Sequence, residues 1–191
     1  MWNTNELEKK QRRGMHIVLF YPFGILLMGV VLNFFLLGVN PYVVSLPTIE
    51  GIRALVIAAA LLVINHTWIM ISTELVRARF KMYATPEEWD ENSSSEKDAP
   101  ELGISELKRR HDTHNNTTEN VVYYVLLSLI FAFSSSTVIA MQVWIIGFAV
   151  VRLGYTYSYF TRNTGLRGLF MTLGLLAMYG MASNLMISIF I

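Results

Sequence analysis

Apolar runs of bilayer length recur along this chain, and no other feature constrains its fold as tightly. A helix needs about 20 mostly apolar residues to cross a hydrocarbon core, where every backbone polar group must be satisfied internally. The first run extends from Met15 to about Val39, and the second from about Arg53 to Ser72. A third begins near Ile104 as a polar helix, turns apolar after Asn120 and ends around Ser134-Ser135-Ser136. The fourth covers about Thr137 to Phe160, and the fifth runs from Leu166 to the C-terminus. Composition agrees: 53% of residues are hydrophobic and 15% charged, against about 25% charged in soluble domains. The expected fold class is an all-α integral membrane protein.

Between the runs the chain is short and polar. Residues 1–14 form a basic N-terminal segment, and residues 15–39 read as a retained helix. A cleaved leader is disfavoured, because its apolar part spans only about 7–15 residues and ends at small residues. Asn40-Pro41 and Ser45-Leu46-Pro47 mark a tight connection, and Thr161 to Gly165 another. Residues 84–103, with Thr85-Pro86-Glu87-Glu88 followed by an acidic, Ser-rich tract, read as a solvated loop.

Alternating topology makes a charge prediction. The N-terminus, the 77–110 region and the 161–167 turn share one face, which collects Lys9, Lys10, Arg12, Arg13, Arg77, Arg79, Lys81, Lys97, Lys108, Arg109, Arg110, Arg162 and Arg167. The opposite face holds only Arg53. The positive-inside rule makes the basic face cytoplasmic, or the matrix side of a mitochondrion. The membrane expected is the endoplasmic reticulum, a mitochondrial membrane or a bacterial inner membrane.

Several chemistries are excluded or disfavoured. No cysteine is present, which removes disulfides, thiolate catalysis by the protein and zinc thiolates. No nucleic-acid motif occurs, and no paired broken helices suggest a transporter. His111 and His114 lie one turn apart but lack a third histidine, so they read as a solvated helix end rather than a metal site. The glycosylation patterns at Asn92, Asn115 and Asn116 fall on the predicted cytoplasmic side. His66 and His16 read as interfacial or interhelical.

One residue stands out inside a run. Arg152 lies in Val150-Val151-Arg152-Leu153-Gly154-Tyr155-Thr156-Tyr157-Ser158-Tyr159. A mid-membrane arginine costs roughly 2.5–3.5 kcal/mol on insertion scales and needs partners. Arg152, Tyr155 and Tyr159 share a helix face, and Asn116, Glu119 and Tyr123 share one on the third run. The economical arrangement pairs Glu119 with Arg152, with Asn116 and the tyrosines completing a polar cavity. The alternative is an ion pair that sets helix register and holds no ligand.

Residues 53–191 resemble the MAPEG family, the membrane proteins of eicosanoid and glutathione metabolism, and within it the branch of microsomal glutathione transferase and microsomal prostaglandin E synthase. The family's first span ends in a basic run and a Pro-Glu turn, matched by Val76-Arg77-Ala78-Arg79-Phe80-Lys81 and Pro86-Glu87. Its second span opens on Arg-x-x-Arg-Ala-His-x-Asn-x-x-Glu, matched by Arg109, His114, Asn116 and Glu119. Its third carries Arg-x-x-His-x-x-x-Tyr, against Arg152, Tyr155 and Tyr159, and its last opens on an arginine, as Arg167 does here.

The resemblance implies a four-helix bundle forming a homotrimer, to which this chain adds one N-terminal transmembrane helix. It implies glutathione bound between neighbouring subunits near the cytoplasmic face, by Arg77, Arg109, His114, Asn116, Glu119, Tyr155 and Tyr159. Arg152 would brace Glu119, and Arg167 would stabilise the thiolate. The implied activity is a glutathione transferase or peroxidase acting on lipophilic electrophiles or lipid hydroperoxides that arrive from membrane lipid. Three departures matter. Asp112 replaces the second arginine of the motif, and an anion there repels a glutathione carboxylate; Arg110 or His111 would compensate. Tyr155 replaces histidine, and Gly168 stands where the prostaglandin synthase has serine, which favours a transferase over an isomerase. The rival expectation is a catalytically silent accessory subunit of a larger membrane complex, such as a respiratory one.

Overall fold

The computed structural model describes the backbone from Thr4 onward, and the side chains of Arg12 and residues 14–191. The side chains of Lys9, Lys10 and Arg13, assigned above to the basic N-terminal segment, lie outside what is described. Helix α1 spans Thr4–Leu32 and continues into a π-helical turn, Asn33–Leu37. Helix α2 spans Ile49–Phe80 and α3 Pro86–Glu91, followed by a 3₁₀ turn at Glu96–Asp98. Helix α4 covers Glu101–Ala132. The next crossing is composite: α5 (Val138–Met141), a π-helical turn (Gln142–Ile146) and α6 (Gly147–Phe160). Helix α7 spans Thr164–Phe190.

Among the described residues five long helical segments therefore run alternately between two ends. At one end Trp68 of α2 meets Phe160 of α6 edge-on at 5.6 Å, and Tyr21 of α1 bonds Thr172 of α7 at 2.5 Å. At the other end the Ser45 amide donates to the Phe133 carbonyl at 3.0 Å, and the Tyr42 amide to Ser188 at 2.8 Å. Four crossings are long and apolar enough to span a membrane: Gly14–Leu37, Ile49–Phe80, Val138–Phe160 and Thr164–Phe190. The chain is a multi-pass membrane protein. Helix α4 is the exception by composition, because its first half is polar; only residues 121–132 are continuously apolar or weakly polar.

Helix ends differ from the sequence expectation for local reasons. Helix α2 begins at Ile49 because Thr48 caps it, its hydroxyl accepting from the Gly51 amide at 3.1 Å. It continues past Ser72 to Phe80 because Glu74, Leu75, Arg77 and Arg79 are good helix formers with no breaker among them. Within the presumed loop 84–103, Thr85 caps α3 with Pro86 at the first helical position. Glu88 closes that turn by accepting from the Ala84 amide at 2.8 Å.

The core sits where α2, α4, α6 and α7 meet, around Ala54, Ala58, Phe131, Phe148 and Met181. Tyr124 stacks on Phe148 at 4.2 Å and donates to the Ile145 carbonyl at 3.2 Å. Helix α1 joins through α7. Ile25, Gly29 and Asn33 recur at four-residue spacing on its buried face, and a Cβ on Gly29 would stand 3.2 Å from the Gly180 amide nitrogen. Buried Asn33 donates to the Gly180 carbonyl at 2.8 Å and the Ser183 hydroxyl at 2.9 Å. Its oxygen accepts from Trp144 Nε1 at 2.9 Å and Asn184 at 3.3 Å. Every hydrogen-bonding position of that amide is filled, so α1 is fixed in register to the helices beside it.

Candidate functional site

A row of four aromatic and cationic side chains starts in α6 and ends on α7. Arg152 is 1% exposed. Its Nη2 donates to Asn116 Oδ1 at 3.0 Å and to Thr117 Oγ1 at 2.8 Å, both on α4. Its guanidinium lies 4.4 Å from the centre of the Tyr155 ring. Tyr155 meets Tyr159 at 5.7 Å, and Arg167 lies 5.1 Å from the Tyr159 ring. The spacing 152, 155, 159 puts these three on one face of α6, and α7 begins four residues after α6 ends, so Arg167 arrives beside them. Asn163 caps α7, accepting from the Leu166 amide at 3.0 Å. Arg167 therefore stands in the first turn of a helix, where the helix dipole also attracts anions.

The expected pair of Glu119 and Arg152 is not formed in the protomer. Arg152 takes the neutral acceptors Asn116 and Thr117 instead, and exposed Glu119 makes no ion pair among the described residues. The reason is helical geometry. Thr113, Thr117, Tyr124 and Ser128 define the buried side of α4, and Glu119, two residues past Thr117, is rotated about 200° from it.

The same arithmetic separates His114 from Asn116, which leave α4 on nearly opposite sides. His114 faces α2, 5.5 Å from the His66 ring, and with His111, Thr73 and Glu74 lines a cavity of about 250 Å³. The interhelical expectation for His66 holds. Arg77 belongs to this second face, one turn beyond Thr73 and Glu74, with its Nη1 2.6 Å from Glu74 Oε1. The sequence-predicted residues thus fall into two sets. Asn116, Arg152, Tyr155, Tyr159 and Arg167 come together; Arg77 and His114 lie across α4 from them. Arg109 is paired with Glu106, at 3.7 Å. Among the described residues no three His, Asp or Glu side chains converge as a metal site would require.

Asp112 is not compensated as expected. Arg110 is held by Glu106, 2.6 Å away, and His111 points into the α2 cavity. Lys108, one turn back, pairs with Asp112 at 3.3 Å on the exposed helix surface. Gly168 leaves open space, since a Cβ there would meet nothing within 4 Å.

Two residues important to this region escaped the sequence reading. Thr117 is the second acceptor for Arg152, and its signal was only its place between Asn116 and Glu119. Glu106 carries three arginines, Arg109, Arg110 and Arg162, and is 9% exposed. Burial pushes its carboxyl up, but the hydrogen bond from Arg162 and the charges of Arg110, Arg162 and Arg109 outweigh that and hold it below its usual 4.5.

No curated protein matches the chain. The MAPEG family model matches residues 55–187, from the second turn of α2 nearly to the end of α7, and leaves α1 outside. That match covers more than half of the sequence and all of the Arg152–Arg167 row. The chain belongs to the MAPEG family of membrane proteins.

Proposed function

We propose that this protein is a glutathione-dependent transferase or peroxidase whose co-substrate binds against the Arg152–Tyr155–Tyr159–Arg167 row. The observation that carries this reading is uncompensated charge. Among the described residues neither Arg152 nor Arg167 has a carboxylate partner, and a buried cation without a counter-charge is costly. Glutathione, an anion at neutral pH with two carboxylates and a thiol, supplies that charge. Tyr155 and Tyr159 add hydroxyl donors.

The second set, Arg77 with His114, sits on the α2-facing side of α4 rather than beside the row. We infer that a neighbouring protomer brings it, so that the homotrimer expected of the family completes each site. Arg167 then favours the thiolate over the thiol by its positive charge, as a guanidinium or helix N-terminus does for cysteine. In transfer, the thiolate sulfur forms a bond to an electrophilic carbon of a lipophilic substrate, and the leaving group departs with the electron pair. In peroxide reduction, two glutathione molecules give up two protons and two electrons, the hydroperoxide becomes alcohol and water, and glutathione disulfide forms.

Calorimetry or a thermal shift with millimolar glutathione on detergent-purified protein tests this. Stabilisation is expected, and Arg167→Ala should abolish the ultraviolet thiolate absorbance while leaving the oligomer intact. Absence of glutathione binding would favour the accessory-subunit reading, which the firm anchoring of α1 outside the family match also supports.

A further inference from the structure

A cationic cavity lies at the basic end of the molecule, apart from the row described above. It measures about 380 Å³ and opens between α2, the start of α4 and the α6–α7 turn. Its rim carries Arg79, Arg110 and Arg162, and its walls include Leu75, Phe80 and Phe160. Among the described residues Glu106 is the single carboxylate lining it, and takes up Arg110 and Arg162. Three guanidiniums against one carboxylate leave two positive charges. Arg79 has no carboxylate within ion-pair range among the described residues, and Arg110 Nε is buried without an acceptor.

The cations are held in place rather than merely present. The Arg110 guanidinium lies 4.4 Å over the Phe160 ring, which fixes its plane. Arg162 follows α6 with a φ of +59°, a left-handed conformation that glycine adopts at far lower cost. The Arg162 guanidinium is held by Glu106. Below the cavity, Leu75, Ile71 and Ile64 form an exposed apolar stripe along one face of α2.

We propose that this cavity binds the phosphate of an anionic phospholipid, with an acyl chain lying along the Leu75–Ile71–Ile64 stripe. Guanidinium forks match the paired oxygens of a phosphodiester. Basic pockets between helices at the membrane surface are where such headgroups dock. The apolar walls and the stripe favour a lipid over free phosphate, which has no acyl chain to place.

Reconstitution of the full chain into nanodiscs of phosphatidylcholine with phosphatidylglycerol, followed by native mass spectrometry, provides the test. Retained phosphatidylglycerol adducts are expected in excess over phosphatidylcholine. Arg79→Gln, which breaks no internal ion pair, should reduce that preference about fivefold and leave the melting temperature and any glutathione-induced shift unchanged. The double variant Arg79→Gln/Arg162→Gln should reduce it further. Equal retention of the two lipids, an unchanged preference in Arg79→Gln, or displacement of the lipid by inorganic phosphate alone would each overturn the proposal. Because the readout is lipid retention, its failure is distinguishable from a failure of glutathione to bind.

Discussion

At the residue scale, the decisive features are charges and amides whose partners come from elsewhere in the chain. Glu106 joins α4 to the α6–α7 turn by holding Arg110 on its own helix and Arg162 across it. Its carboxyl is held below 4.5 in the folded protein, so the unfolded state binds the proton more readily. The stability it contributes is present above pH 4.5 and is lost as pH falls through the lower, folded value. Melting temperature in detergent should therefore drop on acidification through the carboxylate range, and Glu106→Gln should flatten that part of the profile. A profile unchanged by the substitution would remove Glu106 from the account. Arg152 could be singled out from sequence because a cation amid apolar residues demands partners. Which partners it found could not, since Asn116, Thr117 and Glu119 lie within one turn of α4 and only helix rotation chooses among them.

At the element scale, helices pack where small residues let backbones approach and polar groups close the contact. The α1–α7 contact has both, at Gly29–Gly180 and at Asn33. A Cβ added at Gly180 would stand 2.5 Å from the Trp144 ring, a wall that cannot move without disturbing the Asn33 bonds. Gly180→Ala is expected to destabilise the protein by about 1–3 kcal/mol. Gly147→Ala, in a helix with open space at its Cβ, should stabilise it slightly or leave it unchanged. Chemical unfolding in mixed micelles compares the two. Four of the five crossings were legible as apolar runs, and the third as a polar helix turning apolar. Their ends were less so: Thr48, Thr85 and Asn163 act through short-range caps that hydropathy does not register.

At the scale of the whole molecule, the two sets of family residues face opposite sides of α4, and this arrangement is itself testable. If each glutathione site takes Arg167 from one protomer and Arg77 from the next, Arg77→Ala and Arg167→Ala should each abolish glutathione stabilisation. Co-expression of the two variants should restore it in part, because some mixed assemblies pair an intact Arg77 with an intact Arg167. No restoration would place both arginines in a site within one protomer. The extra helix α1 packs chiefly on α7.

By itself the sequence determined the membrane-spanning class, the basic end and the shared helix face of Arg152, Tyr155 and Tyr159, whereas Arg167 was tied to them only by the family resemblance. Those follow from hydropathy, charge count and helical spacing, which are properties of neighbours along the chain. Only the tertiary structure decided that Arg152 bonds Asn116 and Thr117 rather than Glu119, that Asn33 secures α1, and that three arginines gather on Glu106. Each of those depends on how one helix is rotated against another, and side chains one turn apart on a helix compete for the same partner until packing fixes that rotation.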